Sequence, residues 1–113
     1  MIKPRDPREL VVDLLPRSIC SVQVAAVLAD RYGIFSWGWN SVGKGEGEHA
    51  EAAVIRRANK RRLNGSTLYV ASQRRRNEKT IMSAPCVACH ELITNWDMKI
   101  TYRDQNGDWW RMR

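Results

Sequence analysis

No run of residues in this chain is long and apolar enough to cross a membrane as a helix. The first fifteen residues, interrupted by Pro4 and Pro7, also lack the apolar stretch of a secretory signal peptide. Both absences lead us to expect a cytoplasmic protein with no membrane partner. Cysteine is scarce: three residues, which cannot all pair, so at least one thiol stays free and a reducing compartment fits. Acidic residues are missing between Arg56 and Arg76, where eight basic ones fall. The chain carries a formal charge of +7, so its partners are expected to be anionic, nucleotides or nucleic acid. With 113 residues, 43% of them hydrophobic, there is room for a single domain over 1–113 and one modest core.

Chemistry is concentrated in two short motifs, His49-Ala50-Glu51 and Pro85-Cys86-Val87-Ala88-Cys89. Cys86 and Cys89 are three apart, so on a helix they share a face and can grip one ion. Pro85 suits the first helical position, which would place both thiols in the first turn, where the helix dipole favours thiolates. The run from His49 to Leu63 holds no glycine or proline and reads as a helix that opens at the histidine. His49, Cys86 and Cys89 then supply three zinc ligands and leave a fourth position open, as in a catalytic site. Glu51 is two residues from His49, off the histidine's face, and is expected beside the ion rather than on it. There it can act as a general acid and base.

Either motif alone has an ordinary explanation: a structural Cys-x-x-Cys clip, or a histidine and glutamate that merely open a helix. Their order, with proline before the first cysteine, is the pattern His-x-Glu…Pro-Cys-x-x-Cys of the zinc nucleobase deaminases. Cys86 to His90 also matches the haem attachment motif Cys-x-x-Cys-His. Haem would need export and would leave His49-Ala50-Glu51 without a role, so zinc is preferred, one ion per chain. On these residues the sequence resembles the cytidine deaminase-like superfamily, from about Val22 to the end.

The resemblance implies hydrolytic deamination of a base, with Glu51 as proton shuttle and the backbone N–H of Ala50 meeting the base carbonyl. Gly38-Trp39-Asn40 resembles the Gly-x-Asn element of deoxycytidylate and tRNA deaminases, which implies sugar contact for Asn40; a strand-end asparagine starting a turn is the plainer explanation. Small members of this superfamily usually form homo-oligomers that complete one another's pockets.

Along the chain, Asp6-Pro7 opens a helix whose apolar face is Leu10, Val11, Leu14 and Leu15, ended by Pro16. Strands are expected at Val22 to Leu28, Ile34 to Asn40 and Thr67 to Ser72. The second should place Phe35, Trp37 and Trp39 on one face and Asn40 on the other, at the mouth of the glycine-rich loop 43–47. The cysteine helix should run from Pro85 to about Trp96. Two last strands, Met98 to Arg103 and Trp109 to Arg113, flank Asn106-Gly107, a connection short enough to join only antiparallel neighbours. Free-cytidine deaminases typically end this way, whereas tRNA and APOBEC-type relatives have a helix there. The expected fold is a three-layer α/β/α domain on a five-stranded mixed sheet.

Function is then narrowed to two enzymatic readings. A nucleoside or nucleotide of cytosine is favoured by the compact hairpin end. A polynucleotide, with cytosine or adenine as the base, is favoured by the basic run and the tryptophans. Of the five tryptophans, Trp37, Trp39 and Trp110 are expected to pack in the core first and to stack on bases second. A structural zinc clip in a nucleic-acid-binding module explains neither Glu51 nor the count of three ligands.

Overall fold

The computed structural model describes residues 5–41 and 49–112. The glycine-rich loop expected at 43–47 lies outside them. The elements run α1 (Pro7–Leu14), β1 (Val22–Asp30), β2 (Gly33–Trp39), α2 (Ala50–Arg57), β3 (Thr67–Arg74), α3 (Val87–Thr94), β4 (Lys99–Arg103) and β5 (Trp109–Met112). They form one sheet in the order β2-β1-β3-β4-β5, in which only β3 and β4 are parallel. That parallel step needs a crossover, and α3 provides it.

Helices cover both faces, as the alternation in β1 requires. Ala26 and Leu28 point towards α2 and α3 with Val54, Leu68, Val70 and Ile93. Ala25 and Val27 point the other way, under Val11, Leu14 and Leu15 of the first helical segment. A central strand buried on both faces reads as a nearly continuous apolar run, and β1 does. The last two strands are antiparallel, with Tyr102 opposite Trp110. Their turn is organised by Asp104, whose Oδ1 accepts from the N–H groups of Asn106 and Asp108.

Several expectations need correction. The helix expected from His49 to Leu63 stops at Arg57, and a short 3-10 turn follows at Lys60–Arg62. Its last carbonyls are taken by side chains instead of further helix: Ser36 Oγ donates to Val54, and Lys60 Nζ to Ile55, Arg56 and Ala58. Phe35 does not share a face with Trp37 and Trp39. The register slips between Leu28 and Ala29, so β2 carries a bulge at Phe35. Phe35 joins the core under α2, while Trp39 packs under α1. Trp37 and Trp110 are not core residues; they are 51% and 54% exposed. Cys20 is half-exposed. No helix among the described residues is long and apolar enough to cross a membrane.

Candidate metal centre and active site

Two helix starts face each other at one end of the sheet. His49 is the residue capping α2 and Cys86 the residue capping α3, both extended, at ψ 149° and 169°, and neither side chain caps its own helix. Serine, threonine, aspartate or asparagine would normally stand there to bind the free N–H groups. Here the side chains turn towards each other instead. Pro85 therefore precedes the cap rather than opening the helix, so only Cys89 lies within the first turn.

His49 Nδ1 lies 3.1 Å from Cys89 Sγ and 3.5 Å from Cys86 Sγ, and all three ligand atoms fall within 4.8 Å of one another. A tetrahedral zinc, at ~2.0 Å from nitrogen and ~2.3 Å from sulfur, holds such atoms about 3.6 Å apart. The donor set therefore fits the ion in number, type and spacing. The two thiols differ in access: Cys86 is exposed and Cys89 buried. Burial, then the neighbouring Glu51 carboxylate, push the Cys89 thiol well above its ordinary value. This outweighs the helix dipole that was expected to favour its thiolate. A divalent cation reverses the balance, because a coordinated thiol gives up its proton.

Glu51 stands in the first turn of α2, 5% exposed, with burial raising its pKa above the ordinary carboxylate value. Its own backbone N–H, the charge of His49 and a hydrogen bond with Cys89 act in the opposite sense. The carboxylate is thus beside the ligand triad and is not among its converging ligand atoms. A pocket of about 230 Å³ opens at this group, lined by His49, Ala50, Glu51, Ser83 and Cys86 together with Asn40 and Val24.

Asn40 has a structural task at that pocket. Its Oδ1 accepts from the Val24 N–H at 2.9 Å and the Ser18 hydroxyl at 2.7 Å, and its Nδ2 donates to the Val22 carbonyl at 2.8 Å. One Nδ2 proton remains beyond these bonds. Ala50 is fully buried at the first position of α2, where a backbone N–H has no acceptor within the helix. Val22, Ile81, Met82 and Ser83 also line the pocket and were not singled out from the sequence. Val22 falls in the expected first strand, but nothing in the polar stretch after β3 marked 81–83 as a pocket wall.

Residues 9–102 match the family described as the cytidine and deoxycytidylate deaminase zinc-binding region. The chain belongs to that family. It is a zinc-dependent hydrolytic deaminase, with His49, Cys86 and Cys89 placed to hold the metal. Comparison with curated protein sequences returns no match. Among solved structures, the deaminase is similar to cytidine deaminase from Burkholderia pseudomallei, with a TM-score of 0.73 and 17% identity over 94% of this chain and 88% of that one. It is also similar to cytidine deaminase from Mycobacterium leprae, with a TM-score of 0.59 and 18% identity over 92% and 88% of the two chains. The dCMP deaminase of cyanophage S-TIM5 gives a TM-score of 0.59 and 19% identity over 88% and 86%. At these identities the likeness establishes the three-layer fold.

The basic run is divided by the fold. Arg62 makes two hydrogen bonds to Asp30, at 2.8 and 2.7 Å, which hold that carboxyl below its ordinary pKa. Lys60 caps α2, as described. Arg74 ends β3 opposite Val22, a pocket residue, and Arg75 donates to the Ile19 carbonyl. Arg74 to Arg76 therefore stand at the pocket's end of the sheet, exposed.

Proposed function

We propose that this cytoplasmic protein converts cytosine to uracil in a nucleoside or nucleotide, acting as a homo-oligomer. The observation that carries the reading is a buried glutamate lining a pocket beside three converging zinc ligands, without being one of them. When bound, zinc would lower the pKa of a water towards ~7. Glu51 accepts a proton from that water and passes one to the ring nitrogen next to C4. It would then take the water's second proton from the oxygen now bonded to C4 and deliver it to the amino group as the C4–N bond breaks. Water oxygen ends on C4, and the amino nitrogen leaves as ammonia. A raised carboxyl pKa suits this duty, because the group must hold a proton between steps.

The other pocket groups orient the base. The Ala50 N–H, fixed at a helix start, donates to the base carbonyl. Asn40 offers its remaining Nδ2 proton to the sugar, and its three other bonds hold it in place. Arg74 to Arg76 stand at the end where a substrate phosphate would emerge.

Zinc-loaded protein should release uracil products and ammonia from at least one of cytidine, deoxycytidine and dCMP. Glu51→Gln should keep one zinc per chain and lose on the order of 10²–10⁴ in turnover or more. Full turnover in that variant, or no product from any cytosine substrate, would overturn the reading.

A further inference from the structure

We propose that Ser18 and Gln23 are positioning residues for Asn40, and that they leave Asn40 only a donor towards the substrate's sugar. The proposal rests on the reading of Asn40 as the sugar contact. Four polar side chains form one hydrogen-bonded line across β1. Gln73 Nε2 donates to Gln23 Oε1 at 2.8 Å, and Gln23 Nε2 donates to the Ser18 carbonyl at 2.7 Å. The Ser18 hydroxyl accepts from the Cys20 N–H at 3.2 Å and donates to Asn40 Oδ1 at 2.7 Å. Ser18, Gln23 and Gln73 are 1%, 4% and 8% exposed, so water does not satisfy these groups. Gln23 and Gln73 are direct cross-strand partners, on the α1 side of the sheet with Ala25 and Ala71. Ser18 follows the 3-10 turn Leu15–Arg17 at the end of α1. The line thus runs from under α1 to the zinc pocket, which Asn40 and Val24 line.

Each bond in the line has a single possible direction. The Ser18 carbonyl can only accept, so Gln23 turns its NH2 to it and its oxygen to Gln73. The Val24 N–H can only donate and the Val22 carbonyl only accept, which fixes both ends of the Asn40 amide. Asn40 Oδ1 then holds two donors, Val24 and Ser18, on its two lone pairs. That oxygen has nothing left for a ligand, and the second Nδ2 proton is what Asn40 has to offer. A sugar oxygen that meets Asn40 must therefore accept. Without the Ser18 hydroxyl, Oδ1 regains a lone pair and a sugar hydroxyl can bond the amide in either direction. An apolar pair at 23 and 73 would fill the same space with no bonding requirement. The two amides instead supply orientation, holding the Ser18 carbonyl and with it the hydroxyl at Asn40.

The test assays zinc-loaded full-length protein on the cytosine nucleoside or nucleotide it deaminates, and on analogues lacking one sugar hydroxyl each. Wild type should lose about three- to tenfold in kcat/KM on one analogue, the worth of one hydrogen bond. Ser18→Ala should lose a similar factor on the complete substrate, through KM rather than kcat, and little more on that analogue. Gln23→Met, one step further from Asn40, should show the same pattern with a smaller factor. Both variants should keep one zinc per chain. Ser66→Ala removes a different buried hydroxyl, bonded to the Leu63 carbonyl, and should discriminate among the analogues as wild type does. A Ser18→Ala penalty equal on every substrate would overturn the proposal, as would a wild type indifferent to each sugar hydroxyl. Failure to deaminate any cytosine substrate defeats the parent reading and this proposal with it, so the two failures are told apart.

Discussion

α2 and α3 deliver ligands to the same ion, yet they are held in the fold in different ways. α2 presses five buried residues, Ala50, Glu51, Ala53, Val54 and Ile55, against β1 and β2. It lies so close that a Cβ on Gly38 would come within 3.3 Å of the Val54 side chain. Its far end is tied by the Ser36 and Lys60 hydrogen bonds. In α3, among the side chains described, buried Cys89 and Ile93 face the core with half-buried Leu92, and its main neighbour is α2. His49 and Glu51 thus ride on an element that packing fixes. The cysteines ride on one with fewer described core contacts, so zinc is expected to stabilise α3 more than α2.

Removing the ion should break the symmetry most. Chelation, or Cys89→Ser with zinc lost, should leave α3 amides exchanging much faster while α2 stays protected, as hydrogen-exchange mass spectrometry would read. Equal loosening of both helices would refute the comparison. Gly38→Val attacks α2 instead. With Val54 fully buried and unable to yield, overpacking should cost about 1–3 kcal/mol, measured by denaturant unfolding, with zinc still bound. Ser36→Ala removes one buried bond to the Val54 carbonyl and should cost about 1–2 kcal/mol with little effect on α3.

The smallest effect separates the carboxylates by pH. Asp30, held low by Arg62, adds stability above its unfolded pKa and loses it as pH falls towards its folded value. Glu51, raised by burial, has the opposite sign: it disfavours the fold once pH rises through its folded value. In metal-free protein, Asp30→Asn should therefore flatten the acid limb of the stability curve, and Glu51→Gln should raise the neutral-pH plateau.

The metal-ligand trio was readable because its chemistry depends on residue type and order. The sheet was readable where one rule sufficed, as at Asn106-Gly107, whose short turn forced the antiparallel end. The end of α2 was not, because Arg56-Arg57-Ala58 contains no breaker. The helix stops where Ser36, eighteen residues earlier, and Lys60 take its carbonyls. The bulge at Phe35 was hidden for a similar reason, since alternation assumes that register never slips. Sequence also could not divide the arginines. Arg62 looks like its neighbours until Asp30 is found beside it.

The unequal access of the two thiols gives the site a characteristic way to age. Cys86 is open to solvent and Cys89 is shielded. Peroxide or an alkylating agent reaches the outer sulfur first, and thiol oxidation follows exposure as well as thiolate character. Damage then begins at the ligand that starts α3, the helix most dependent on the ion. A single oxidised sulfur would release the metal and loosen the crossover between β3 and β4, while His49 and Glu51 kept their places. Preparations stored without reductant should accumulate as folded, zinc-poor protein rather than as aggregate.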